Sequence, residues 1–236
     1  MAEIKVIQSI KEGYAALASN PIVFAPAFGY AIVSILLQQK TQAVINSVGA
    51  PRTLTLISLL ILYPLVGMFA SGMMINLLAT SKKTTLGESA KFTADRFPTL
   101  LMAIILFFAG STAAYAAIFY LSGVLTVFLL ALALPLSYIM VRMAFFSYAI
   151  IIDRQGAIDS LKKSWALTEG QFWNIIGLVL LQLIVVLPLL MINLAMQHYQ
   201  IALPDILIGL LNALITTVTI AWIVSPMTRA YMQLKE

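Results

Sequence analysis

The sequence predicts an all-α polytopic membrane bundle of about six transmembrane helices, arranged as three repeats of one amphipathic helix and two spans. Three observations predict it. The 236-residue chain is 61% hydrophobic and 10% charged, with a mean hydropathy of +0.99, whereas soluble domains carry roughly 25% charged residues. Its apolar residues gather into six runs, each close to the ~20 residues that cross a ~30 Å hydrocarbon core. Short basic segments of helical periodicity stand before the first, third and fifth runs. With no break in composition, residues 1–236 read as a single integral membrane domain with repeat units at about 1–81, 82–153 and 154–236.

In chain order the spans run from Pro21 to Gln38, Leu54 to Ala79, Pro98 to Leu121, Val124 to Ile152, Gln171 to Met196 and Asp205 to Ala230. Pro21 and Pro98 suit the first turn of a helix, and Asn20 suits an N-cap. Gly170 suits the end of the third amphipathic helix. These residues predict a break between each amphipathic helix and the span it feeds. Ser122 and Gly123 leave room only for a tight turn, so spans three and four form a hairpin.

The amphipathic helices follow from spacing. Ile4, Ile7, Ile10, Tyr14 and Leu17 recur at intervals of three and four, with Lys5, Ser9 and Glu12 opposite. Ile158, Leu161, Trp165 and Thr168 do the same, with Asp159, Ser160 and Lys163 facing away. Sliding the first segment by 151 residues pairs Ser9 with Ser160, Lys11 with Lys162 and Tyr14 with Trp165. The middle copy is degenerate: Ser89 and Lys91 match, but Ala94 replaces the aromatic ring. Pro64 and Pro135 each precede a charged boundary, Lys82 and Asp153, by 18 residues, which supports the repeat. Tyr14, Lys11, Lys162 and Trp165 are the expected membrane-interface anchors, because aromatic and basic residues together suit the headgroup region.

Charge gives orientation. Lys5, Lys11, Lys82, Lys83, Lys91, Arg96, Arg154, Lys162, Lys163, Arg229 and Lys235 fall on the face holding both termini, against Lys40 and Arg52 on the other. Both termini are therefore expected on the cytoplasmic side of the cell membrane. Eight acids share that face, so its attraction to anionic lipid is modest. Basic residues interspersed with acids give no nucleic-acid footprint. The chain has no cysteine, which removes disulfides and thiolate ligands.

No catalytic constellation is visible. The single histidine, His198, falls in an outer loop, no acid lies in a span core, and Asp153 and Asp159 form no acid/base pair. The methionines Met68, Met73, Met74, Met140 and Met143 suit flexible packing, so neither metal nor cofactor is expected. Arg142 stands out instead, eleven residues before Asp153, about 16 Å of helix and so near mid-membrane. A charge there needs an interior, a wet cavity or a partner. Arg142, Gln182 and Asn212 are the candidate ligand- or lipid-binding residues. The competing role for Arg142 is a clamp on backbone carbonyls, and for the polar residues interhelical hydrogen bonds.

The stretch Asp153-Arg154-Gln-Gly156-Ala-Ile-Asp-Ser160-Leu-Lys-Lys-Ser164-Trp165-Ala-Leu-Thr168-Glu-Gly170-Gln-Phe-Trp173 resembles the hallmark before span five in a group of six-span prokaryotic membrane proteins. That group includes the membrane domain fused to some glycerophosphodiester phosphodiesterases. The ending from Pro226 to Leu234 and the placement of Arg142 resemble it too. The resemblance implies a six-helix membrane fold and no established activity, since the phosphodiesterase chemistry belongs to a separate soluble domain; with no catalytic constellation in view, the chain is expected to be non-enzymatic. Two functions fit. One is binding or passing membrane lipids or small amphiphiles, with anionic lipids favoured. The other is structural, with cytoplasmic amphipathic helices docking a membrane protein partner or a second copy in a homo-oligomer.

Overall fold

The computed structural model describes residues 3–46, 52–80, 84–121, 137–198 and 205–235, and every regular element among them is helical. Helix α1 (Val6–Ser19) leads through a 3-10 turn (Pro21–Val23) into α2 (Phe24–Asn46), followed by α3 (Arg52–Ala79) and α4 (Leu86–Leu121). Helical residues 137–142 precede α5 (Phe146–Ile152), then α6 (Ala157–Leu167), α7 (Phe172–His198) and α8 (Asp205–Lys235). Four helices are long and apolar enough to cross a membrane, with windows at Pro21–Thr41, Ile61–Ala79, Phe172–Leu189 and Leu207–Lys235. The fold is therefore that of an all-α, multi-pass membrane protein. The Ser122-Gly123 turn, Pro135, Lys82 and Lys83 lie outside the described residues.

Several local expectations need correction. Asn20 makes no side-chain cap; its N–H closes α1 onto Ala16 and Leu17, and its carbonyl accepts from Val23. Pro98 does not open a helix, because α4 runs through it without interruption. A proline forfeits one intrahelical bond, and the turns on either side hold the helix together. Glu88 and Thr85 start α4 with a capping box: Thr85 N–H donates to Glu88 Oε2 at 2.8 Å, and Glu88 N–H donates to Thr85 Oγ1 at 3.2 Å. The Thr85 backbone N–H, and after it the Thr85 hydroxyl, hold the Glu88 carboxyl below its ordinary pKa. His198 closes α7 rather than lying in a loop. Gly170 does adopt the expected left-handed φ, +73°.

The larger correction concerns which faces are inside. Ser9 and Ser160, expected to face away, are fully buried, while Ile7 and Ile158 are 66% and 57% exposed. Small hydroxyl residues let helices approach closely and can bond backbone groups, whereas apolar side chains can be left to lipid. Each short amphipathic segment turns such a face onto a longer helix. In α1, Gly13 lies against Pro226 of α8, where an added Cβ would stand 2.8 Å from the Pro226 nitrogen. Ser225 Oγ donates to the Gly13 carbonyl beside it (2.8 Å). In α4, Thr93 abuts Gly72 of α3, and Ser89 donates to the Met73 carbonyl at 3.0 Å. In α6, Ser164 meets the segment around Arg142.

Candidate functional site

The segment 137–152 is not one continuous helix. It turns at Met143–Phe145, where the Ala144 and Phe146 N–H groups reach back only three residues, to Val141 and Met143. Such a break strands backbone polar groups, which must find partners in a low-dielectric interior. Ser164 supplies them. Its hydroxyl donates to the Arg142 carbonyl at 2.8 Å and accepts from the Phe145 N–H at 3.1 Å. Thr168, one turn further along α6, brings a second hydroxyl within 3.2 Å of the same carbonyl. Both are fully buried.

Arg142 itself is 6% exposed. Its guanidinium carbon lies 4.6 Å from the Trp165 ring centre and 5.6 Å from that of Tyr138. Tyr138 is four residues earlier on the same helical face, and it packs edge-on against Trp165 (6.1 Å) and beside Phe172 (5.5 Å). Cation–π contacts of this kind contribute about 0.5–2 kcal/mol, more when desolvated. Among the described residues no carboxylate pairs with Arg142, and its Nε is buried without an acceptor. With rings against the guanidinium, its Nε–H is the group without a partner among the described residues, and the planar fork to which it belongs matches a phosphate or carboxylate.

Depth is also revised. Tyr138, one turn deeper in the chain than Arg142, touches Phe172, the first residue of the α7 apolar window. Arg142 thus lies level with the start of α7 rather than at mid-span. Counting helical rise from Asp153 overestimates its depth because the helix is broken between them.

The three predicted binding residues do not converge. Gln182 is buried on α7, donates to the Ile223 carbonyl of α8 (3.2 Å), and lines an apolar cavity of about 180 Å³ with Val186 and Met227. Neither Arg142 nor Asn212 lines that cavity. Asn212 is half-buried on α8 and already engaged. Of the predicted anchors, Tyr14, Lys11 and Lys162 are exposed on α1 and α6. Tyr14 touches Trp222 edge-on at 6.0 Å. Trp165 is 38% exposed and also covers Arg142.

A second polar cluster has no counterpart among the expected site residues. Asp153, its side chain 5% exposed, accepts from Lys163 (2.6 Å) and Lys235 (2.5 Å) and from the Tyr231 hydroxyl. Burial disfavours the Asp153 carboxylate, but the bonds from Lys163, Lys235 and Tyr231 outweigh it and hold its pKa below the ordinary value. Tyr231 is fully buried and joins Phe145 and Tyr148 in an aromatic cluster, with ring centres 5.7–5.9 Å apart. The cluster ties the end of α8 to the α5–α6 connection. Arg154 follows at φ +57°, its carbonyl accepting from Arg96 (3.2 Å) and its guanidinium lying over Phe92. The signals available in sequence were the Ser160, Ser164, Thr168 spacing of four and the placement of Tyr138 four residues before Arg142.

No curated protein and no solved structure matches the chain. A family model matches residues 4–234, nearly the whole sequence, and the chain therefore belongs to the family described as a domain of unknown function (DUF7847).

Proposed function

We propose that this protein is a non-enzymatic, six-span membrane module that binds an anionic lipid or small amphiphile at Arg142. The observation that carries this is a buried guanidinium flanked by Trp165 and Tyr138, with an unpartnered Nε and no paired carboxylate among the described residues. Its position level with the start of α7 suits a headgroup phosphate or carboxylate. Gln182 belongs to the α7–α8 contact, and neither it nor Asn212 is assigned to this site. Ser164, Trp165 and Thr168 lie within the stretch that resembles the membrane domain of the glycerophosphodiester phosphodiesterases, and they are the residues that frame Arg142.

The second half of α4 and the run from Val124 to Ile152 supply the third and fourth crossings, with both termini on the cytoplasmic side of the cell membrane. The threefold repeat gains support from packing. The amphipathic segment of each unit lies on the second proposed span of the unit before it, in a closed cycle: α1 on α8, the start of α4 on α3, and α6 on residues 137–152. Single cysteines at Lys91 and Ser122 in this cysteine-free chain are expected to label from opposite faces; labelling from one face removes spans three and four.

Native mass spectrometry from nanodiscs of mixed zwitterionic and anionic lipids tests the site. Arg142→Gln is expected to lose one retained anionic lipid while keeping its helical content. Arg142→Lys is expected to be intermediate, since an ammonium loses the planar fork. Unchanged lipid retention in Arg142→Gln would remove the proposal.

A further inference from the structure

The first ridge of exposed residues borders a groove that nothing above uses. On α1, Ile7, Lys11 and Tyr14 face outward at i, i+4 and i+7, and Ile158, Lys162 and Trp165 repeat those positions on α6. The α1 copy adjoins a cleft. An open groove of about 610 Å³ lies between the start of α1 and the start of α7, lined by Lys5, Val6, Ile7, Gln8, Lys11 and Asn174 among others. That volume is within the range of small-molecule sites, roughly 300–1,000 Å³.

Its floor is fixed. Gln171 Oε1 accepts from the Ile4 N–H (3.1 Å) and from the Asn174 amide (2.9 Å), which pins the start of α1 to the start of α7. The charged side chains that line it are both basic, Lys5 and Lys11. Glu12 and Glu3 do not line the groove, but each accepts from a residue that does, Glu12 from the Gln8 amide (2.6 Å) and Glu3 from the Asn174 amide (3.4 Å). Lys5 and Lys11 are exposed and form no ion pair among the described residues. Its surroundings are apolar: Ile7, Tyr14 and Trp173 are 66%, 61% and 77% exposed. Asn174 lies two residues inside the apolar window of α7. Exposed tryptophan and tyrosine beside lysine, at the mouth of a span, match the headgroup region of a bilayer.

We infer that this groove seats the headgroup of one anionic phospholipid from the leaflet that holds α1. Lys5 and Lys11 neutralise the phosphate, while Val6 and Ile7 lie under the glycerol and the first acyl carbons. The site rests on the membrane-protein fold and is independent of the lipid at Arg142.

The full chain in nanodiscs of phosphatidylcholine and phosphatidylglycerol tests it by native mass spectrometry. At about 1 kcal/mol per lysine near an anionic surface, the double variant Lys5→Gln/Lys11→Gln retains one fewer phosphatidylglycerol, with an affinity about 30-fold weaker. Arg142→Gln leaves that lipid in place and loses the other, so the two sites fail separately. Lys162→Gln, at the matching position of α6 and outside the lining of this groove, leaves retention unchanged. Both lysines are solvent-facing, and Lys5→Arg/Lys11→Arg serves as the folding control that keeps the lipid. Equal phosphatidylglycerol retention in the double glutamine variant overturns the inference, and so does an equal loss in Lys162→Gln, which would indicate diffuse charge rather than a site.

Discussion

Helices α1 and α6 share residue types at matching positions, inside and out, yet they meet their partners in opposite ways. Gly13 of α1 has no side chain and lies directly on the backbone of a continuous α8 at Pro226. Ser164, the matching residue of α6, reaches into a helix that is broken and satisfies two of its stranded backbone groups. One contact uses proximity and the other uses a hydroxyl. The lesson is that a single position in a repeated helix can either fit an intact neighbour or stabilise an interruption, and the Arg142 site exists only where the second happens.

Exchanging the two residues is the sharpest way to break the comparison. Gly13→Ser is expected to be the more damaging, because its Cβ would stand 2.8–2.9 Å from Pro226 backbone atoms that cannot rotate away. Overpacking against backbone costs about 3 kcal/mol, read as a lowered thermal transition in detergent and loss of α1 protection in hydrogen exchange. Ser164→Gly is expected to cost about 2 kcal/mol, since the Phe145 N–H loses its acceptor while the Arg142 carbonyl keeps Thr168. Its signature is local: faster exchange at Phe145 with α1 unaffected. Equal and uniform losses in both variants would mean that the two contacts do the same job.

The register of this comparison was legible in the residues, but its direction was not. The match of Ile7, Ser9, Lys11 and Tyr14 to Ile158, Ser160, Lys162 and Trp165 is a matter of spacing, and spacing survives in any solvent. Periodicity shows that a helix has two faces without showing which is inside, and in lipid the small hydroxyl face can pack while isoleucine faces outward. The apolar windows of α2, α3, α7 and α8 were readable for the simple reason that their length and hydropathy are local. Arg142 was conspicuous as a charge in an apolar run, and Tyr138 was within reach of the i, i+4 rule. Trp165, 23 residues away in sequence, was assigned to the interface because nothing local links it to Arg142. The Asp153 cluster was invisible for the same reason, with Tyr231 and Lys235 at separations of 78 and 82 residues.

That cluster extends the contrast, because the α6 half of the molecule is locked by charge where the α1 half is locked by shape. Asp153→Asn is expected to destabilise by about 1.5 kcal/mol, as two lysine bonds lose their ionic partner. The pH dependence has a definite sign. The folded pKa of Asp153 is depressed, so its contribution is complete above the unfolded value of about 3.9 and is lost as pH falls through the lower folded value. The difference in thermal transition between wild type and Asp153→Asn should stay constant from neutral pH to about pH 4 and close below it. A difference that closed already near pH 6 would assign the acid sensitivity to some other group.

The smallest expected effect distinguishes the two aromatic residues that spacing makes equivalent. Tyr14 and Trp165 occupy matching outward positions, but only Trp165 covers a buried cation; Tyr14 meets the edge of Trp222. Tyr14→Leu should therefore cost about 0.5 kcal/mol, the low end for an aromatic pair, and Trp165→Leu about 1 kcal/mol from the lost cation–π contact. The decisive quantity is coupling rather than size. In a double-mutant cycle with Arg142→Gln, Trp165→Leu should show an interaction of about 1 kcal/mol, whereas Tyr14→Leu and Arg142→Gln share no contact and should add within about 0.3–0.5 kcal/mol. If Trp165 and Arg142 proved additive, the ring would be an interface anchor like Tyr14, and the asymmetry between the two helices would reside in Ser164 alone.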